Sequence, residues 1–141
     1  MTQNKEITES QGQSIPTSVL GFDVLLIDDD PVFCETMVRH ARRYAIHLTT
    51  CQRASDLYKT LRAWNYDAII CDYHLDDDVN GAELVPLFEE TPIVLVSRTR
   101  WWSNDAGALP ASVNCFVHKK YGANAILEEA IRAATGSFSK H

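Results

Sequence analysis

The chain has no apolar stretch long enough to cross a membrane as a helix. Its unbroken apolar runs, such as Val24–Ile27, are short, whereas a membrane span needs about 18 or more consecutive apolar residues. The first residues, MTQNKEITESQGQSIPTS, also lack the apolar core of a secretory signal. We therefore expect no membrane insertion and a cytoplasmic location.

Cysteines are few and widely spaced. The four of them form no C-x-x-C pair, and they are Cys34, Cys51, Cys71 and Cys115. The lack of closely spaced pairs argues against a zinc knuckle. Because no export signal accompanies them, we expect four reduced thiols.

Positive charge is in deficit. Thirteen Lys plus Arg residues face nineteen Asp plus Glu residues, which gives a formal net charge of −6 and a pI of about 5.2. A net-acidic chain is a poor general binder of nucleic acid or of anionic membranes, so we expect no nucleic-acid partner.

The length of 141 residues suits a single domain, and internal repeats are absent. Residues 1–20 are rich in Gln, Ser, Thr and Glu, which predicts a disordered or loosely docked N-terminal tail. We expect one folded domain over residues 21–136 and a short C-terminal tail over residues 137–141.

Short apolar runs alternate with amphipathic segments from residue 22 onward. Such runs are typical of buried parallel strands, and they are Val24–Ile27, His47–Cys51, Ala68–Cys71, Ile93–Val96 and Cys115–Val117. Strands that alternate with helices predict a parallel sheet covered on both faces. The fold class we expect is α/β, a flavodoxin-like doubly wound (βα)5 three-layer sandwich with strand order 2-1-3-4-5.

Capping residues predict where the helices begin and end. Asp30 followed by Pro31 is typical of a helix start, and Ser55 predicts a second one. A further helix is expected after Gly81. The last helix should end at Gly136, because glycine readily adopts the left-handed conformation found there.

Polar residues follow the predicted strands at the points where they end. Asp28 and Asp29 follow the first strand, and Asp72 follows the third, which is its neighbour in this winding. Crowded carboxylates repel one another unless a cation lies between them, and carboxylate oxygens suit Mg²⁺. The metal would let a phosphoryl group approach a carboxylate nucleophile. Lys119 and Ser97 follow the fifth and fourth strands and would contact phosphate oxygens.

The motifs LLIDDDP, IICDYHL, IVLVS and CFVHK, in this order and at these separations, resemble the receiver domain of two-component response regulators. The resemblance covers about residues 22–136. It implies that Asp72 is the phosphoacceptor and that Ser97 is the switch hydroxyl. It also implies that Phe116 is the switch aromatic and that Lys119 matches the invariant lysine of the family. It also implies a partner, a sensor histidine kinase or phosphotransfer protein that donates the phosphoryl group.

The same resemblance implies how Mg²⁺ is held. Asp29 and Asp72 would bind the ion directly, together with the main-chain carbonyl of His74. Asp28 would act through water.

The sequence departs from the family pattern at four places. Lys120 stands where the family usually has proline, and Arg98 stands where it usually has a small residue. The loop of residues 73–80 lacks the usual proline and is longer than the commonest pattern. The segment WWSNDAGALPAS, expected to hold the fourth helix, is a poor helix former. Its Trp101 and Trp102 either pack on the sheet or form a partner interface.

Two other functions remain open from the sequence. A degenerate receiver would act as an interaction module without phosphorylation. A phosphatase of the haloacid-dehalogenase type would use Asp28 as nucleophile, since residues 28–32 resemble that family's D-x-D-x-[TV] motif; Asp72 would then be unexplained.

Overall fold

A computed structural model describes residues 21–57, 59–60, 65–75, 81–88, 91–98 and 113–136. Five parallel strands form one sheet, and they are β1 Phe22–Ile27, β2 Ile46–Cys51, β3 Ala68–Asp72, β4 Ile93–Ser97 and β5 Val113–His118. Their order across the sheet is β2-β1-β3-β4-β5. The predicted α/β fold and its strand order are confirmed.

Helix α1 spans Pro31–Ala41 and begins where the sequence predicts. The Asp30 side chain accepts hydrogen bonds from the main-chain N–H groups of Val32 and Phe33, and Pro31 occupies the first turn. This arrangement satisfies N–H groups that have no partner within the helix. It fixes the direction in which the chain leaves the end of β1.

Helix α3 spans Gly122–Thr135 and ends at Gly136, which has a φ of 72°. That left-handed conformation suits glycine and confirms the predicted end of the helix. Tyr44, in the 3₁₀ turn that follows α1, donates a hydrogen bond of 2.9 Å to Glu128 in the middle of α3. Buried residues of the two helices belong to one core, so α1 and α3 lie on the same face of the sheet.

The structure differs from two helical predictions in detail. The helix after Gly81 is a single α-helical turn, α2 Gly81–Leu84, which passes into a 3₁₀ turn at Val85–Phe88. Pro86 explains the change, because proline lacks the N–H that an α-helix needs and its ring clashes with the preceding turn. Ser55 lies inside a 3₁₀ turn, Ala54–Asp56, and α-helix follows it at residues 57 and 59–60. The predicted helix is therefore present, but Ser55 is not its cap. Residues 61–64, which would continue this helix, lie outside the described residues, as do both tails and the WWSNDAGALPAS segment.

The apolar side chains of the sheet divide into two cores, one on each face. Alternate residues of a strand point to opposite faces, so Leu26 packs with α1 and α3, whereas Leu25 packs with Leu57, Leu84 and Phe88. A sheet buried on both faces explains the continuous apolar runs of the strands. None of the helices in the described ranges is long and apolar enough to span a membrane.

Candidate functional site

Three carboxylates meet at the carboxyl edge of the sheet. Ile27 is in register with Cys71, so Asp28 and Asp29 leave β1 beside Asp72 at the end of β3. One oxygen from each of the three carboxylates lies within 4.8 Å of the others. Asp28 and Asp72 are buried, and Asp29 is half-buried. The sequence prediction of an acidic cluster at this edge agrees with the geometry.

The crowding changes the acidity of Asp72. Burial raises the pKa of its carboxyl group to about 7, and the negative charge of Asp28 adds to the rise. Lys119 and a hydrogen bond with the His74 main chain act in the opposite direction. A carboxyl group with this pKa gains strongly from a nearby cation. The donor set therefore fits a hard divalent cation such as Mg²⁺.

Lys119 is held between two of the three carboxylates. Its Nζ lies 2.7 Å from Asp28 Oδ2 and 3.6 Å from Asp72 Oδ1, and only 7% of the side chain is exposed. The same Nζ lies 4.2 Å from the centre of the Phe33 ring, a cation–π contact that favours the charged amine. The sequence identified Lys119 but not the role of Phe33, because only the fold brings them together.

Hydrogen bonds fix the position of Asp28. Its Oδ1 accepts from the Asp30 N–H at 2.9 Å, and its own N–H donates to the Cys51 carbonyl at 3.1 Å. The Cys34 thiol lies 3.4 Å from the Asp28 carbonyl. With Lys119 on its other oxygen, this carboxylate is preorganised before any ligand binds.

Gly81 packs directly behind Asp72, a contact that the sequence did not reveal. A Cβ atom at this position would lie 2.2 Å from the Asp72 carbonyl oxygen, which is far inside contact distance. The Gly81 N–H also donates to the Tyr73 carbonyl at 2.6 Å. Only glycine permits such a close approach of two backbones.

A small cavity of about 180 Å³ opens at this edge. Its described lining consists of Asp28, Asp29, Asp30, Asp72, His74, Arg98 and Lys119. His74 contributes an exposed side chain and stacks edge-on with Tyr73 at 4.8 Å between ring centres. Arg98 reaches across to form an ion pair with Asp30.

The remaining predicted residues do not line the cavity, or they lie outside the residues that the structure describes. Ser97 is fully buried at the end of β4 and is not among the described residues that line the cavity. Phe116 is half-buried and packs against the core that contains Leu25. Trp101 and Trp102 lie outside the described residues. Lys120, which stands where the family usually has proline, lies in a 3₁₀ turn, Lys119–Tyr121, that follows β5 directly.

Fold and site together define a doubly wound α/β protein whose acidic site lies at the carboxyl edge of its sheet. A family model for the response regulator receiver domain matches residues 24–131. The chain therefore belongs to the response regulator receiver family, and the sequence-based prediction of that family is confirmed. It carries the receiver domain of a two-component response regulator, a signalling switch. Response regulators interact with histidine kinases or phosphotransfer proteins.

Two plant relatives are similar in sequence. The two-component response regulators ORR22 and ORR23 of Oryza sativa are each 34% identical over 83 residues, which is 55% of this chain. The aligned part covers 12% of each relative. The chain therefore corresponds to a small part of these longer proteins.

Solved structures share the fold at low sequence identity. The receiver domain of the Francisella response regulator 1452 has a TM-score of 0.70 at 16% identity, covering 83% of this chain and 99% of that one. The chemotaxis response regulator CheY4 of Vibrio cholerae has a TM-score of 0.68 at 15% identity, covering 79% and 98%. TrrA of Thermotoga maritima, solved in complex with Mg²⁺ and BeF, has a TM-score of 0.67 at 17% identity, with the same coverage.

Proposed function

We propose that the domain accepts a phosphoryl group on Asp72 from a phosphohistidine of a sensor histidine kinase or phosphotransfer protein. The observation that carries this proposal is the position of Asp72, buried beside Asp28 and 3.6 Å from the Lys119 amine. A carboxylate there is shielded from bulk water yet faces the cavity. TrrA, which shares the fold, was solved in complex with Mg²⁺ and BeF, and the same pair of ligands would suit the chemistry proposed for this domain.

Each residue has a distinct part in the proposed transfer. Asp28, Asp29 and Asp72, with the His74 main-chain carbonyl, would hold Mg²⁺, which supplies positive charge to offset the carboxylates and the phosphoryl oxygens. The ionised Asp72 oxygen attacks phosphorus, forming a P–O bond as the P–N bond to histidine breaks. The electron pair of that bond stays on the imidazole nitrogen, which takes a proton from solvent. Lys119 neutralises charge on a phosphoryl oxygen.

The proposed output is a change of surface over residues 21–136. Phosphorylation adds negative charge and acceptor oxygens, and we propose that the Ser97 hydroxyl moves toward them. Phe116, on the neighbouring strand β5, would follow that movement. Trp101 and Trp102 would belong to the surface that a downstream protein reads.

The buried position of Asp28 argues against the dehalogenase-type phosphatase. Its Oδ2 is bonded to Lys119 and its Oδ1 to a main-chain N–H. A nucleophile needs an oxygen that the substrate can reach, and the Asp28 side chain is fully buried, whereas 8% of the Asp72 side chain is exposed. Asp72 offers the better placed carboxylate.

Intact-mass spectrometry after incubation with acetyl phosphate and Mg²⁺ tests the proposal. We expect one phosphoryl adduct, about 80 Da, that is lost in Asp72→Asn and in the presence of EDTA. Asp56→Asn, which changes an exposed aspartate on the Ala54–Asp56 turn, should keep the adduct. An adduct that persists in Asp72→Asn and disappears in Asp28→Asn would support the phosphatase instead. No adduct and no heat of Mg²⁺ binding would support the interaction module.

A further inference from the structure

Arg98 occupies a position that the proposed transfer does not use. It directly follows Ser97 at the carboxyl end of β4 and lines the same cavity as Asp72 and Lys119. Its Nη2 is hydrogen-bonded to Asp30 Oδ2, from the loop that follows β1. The Arg98–Asp30 pair therefore joins the ends of β4 and β1 within the lining of the cavity.

The two oxygens of Asp30 serve different partners. Oδ1 accepts the helix-capping hydrogen bonds from Val32 and Phe33, whereas Oδ2 holds Arg98. The guanidinium can therefore leave Asp30 without removing the cap of α1. The separation also allows a variant that breaks the ion pair and keeps the helix start.

The two cationic side chains of the cavity differ in how tightly they are held. Lys119 is 7% exposed and committed to Asp28, whereas the Arg98 side chain is 64% exposed. Ion pairs with this exposure are weak, because water screens the attraction. The Asp30 hydrogen bond raises the pKa of Arg98, and the charges of Asp28 and Asp72 also reach it. Arg98 is thus close to the phosphoryl site but only loosely held.

Charge favours an exchange of partners when a phosphoryl group enters. The described cavity lining holds four carboxylates against Lys119 and Arg98. Phosphorylation of Asp72 replaces a carboxylate of one negative charge with an acyl phosphate that carries about two near neutral pH. The planar guanidinium matches two phosphate oxygens at once, which lysine cannot do. A dianion in the cavity therefore offers Arg98 a better partner than Asp30.

We propose that Arg98 is a second cationic ligand of the phosphoryl group, stored on Asp30 in the unmodified protein and transferred to the phosphoryl oxygens when Asp72 is modified. The inference rests on the proposed function, because it needs a phosphoryl group on Asp72. It assigns Arg98 a direct contact with that group and Asp30 the role of competitor.

Calorimetric titration with beryllofluoride, at saturating Mg²⁺, tests the exchange. We expect Arg98→Ala to bind the phosphoryl mimic about tenfold more weakly, the loss of one charge-assisted contact. Arg98→Lys should fall between the two, since it keeps the charge but loses the planar fork. Asp30→Asn keeps a good helix cap and should bind severalfold more tightly, because Arg98 is released.

A double variant separates partner exchange from a general charge effect. In the Arg98→Ala background, Asp30→Asn should no longer improve binding. If the improvement persists there, Asp30 acts only through its negative charge and the exchange is overturned. Arg132→Ala removes an ion-paired arginine of α3 and should leave the affinity unchanged. Urea unfolding of each variant checks that it is folded.

The outcomes distinguish this inference from the proposed function. Beryllofluoride binding by the wild type that is lost in Asp72→Asn, together with unchanged affinity in Arg98→Ala, overturns the role of Arg98 alone. A wild type that binds no beryllofluoride at saturating Mg²⁺ overturns both.

Discussion

Asp72 shows how one side chain acquires unusual chemistry from its surroundings. An ordinary aspartate is ionised at neutral pH, but burial beside Asp28 raises the pKa of Asp72 to about 7. Lys119 offsets part of that cost without removing it. The metal-free site is therefore strained electrostatically, and a divalent cation or a phosphoryl–metal pair relieves the strain.

This strain predicts a pH-dependent stability in EDTA. The pKa of Asp72 rises from 3.8 to about 7 on folding, so the folded state binds a proton that the unfolded state has lost. The contribution of Asp72 to stability is present below about pH 4 and is lost as pH rises to about 7, with a slope of at most about 1.4 kcal/mol per pH unit. Urea unfolding between pH 5 and pH 8 measures it.

The matched variants isolate the contribution of Asp72 from that of other carboxyl groups. Asp72→Asn should lose this part of the slope, whereas Asp56→Asn should keep the wild-type profile. Added Mg²⁺ should flatten the wild-type curve, because the bound cation favours the ionised carboxylate. Identical slopes for the wild type and Asp72→Asn would contradict the assigned environment.

At the scale of strands and helices, local sequence patterns predicted the strand ends that carry the site better than they predicted the helix after Gly81. The ends of β1, β3 and β5 follow from short apolar runs bounded by polar residues, and parallel strands bring those ends to one edge. Asp28, Asp72 and Lys119 could therefore be placed together from the sequence. The helix after Gly81 was predicted longer than it is, because Pro86 limits it to one α-helical turn.

Contacts between distant segments could not be predicted in the same way. The Arg98–Asp30 pair joins residues 68 positions apart, and the Lys119–Phe33 contact joins β5 to α1. Composition and periodicity carry no information on which side chains meet across a sheet edge. These contacts depend on side-chain packing that only the folded chain defines.

The junction of β3 and α2 gives a prediction at this scale. In Gly81→Ala the new Cβ would meet backbone atoms of Asp72 and Tyr73, which cannot move aside as a side chain would. We expect a loss of about 1–3 kcal/mol in unfolding free energy, typical of overpacking. The rate of phosphorylation by acetyl phosphate should also fall, because the clash displaces Asp72.

A second glycine separates lost stability from a displaced site. Gly136 has a positive φ and nothing within 4 Å of an added Cβ, so Gly136→Ala should cost about 1 kcal/mol through backbone strain alone. Its phosphorylation rate should stay at the wild-type level. Equal stability of Gly81→Ala and wild type would contradict the close approach.

At the scale of the whole molecule, the sheet couples the two cores. Cys34 belongs to the core under α1 and α3, whereas Cys51 and Cys71 belong to the opposite core. All four cysteines are free, as the sequence predicts, and three of them are buried. Small domains usually unfold in one cooperative transition, so a thiol in either core should become accessible only when both open.

This arrangement predicts the reaction with N-ethylmaleimide. Burial raises the pKa of Cys34 and of half-buried Cys115 to about 12, and nearby carboxylates add to the rise. Since the thiolate is the reacting form, native protein should take up one label slowly, at Cys115, and Cys115→Ser should take up none.

Four labels should appear in urea. At urea concentrations below the unfolding transition, Cys34 and Cys71 should be labelled at one common rate that rises with urea as global unfolding does. Peptide mass spectrometry follows the label on each cysteine. Labelling of Cys71 well before Cys34 would mean that the Leu25 side of the sheet opens alone, and the sheet would then not unite the two cores into one cooperative unit.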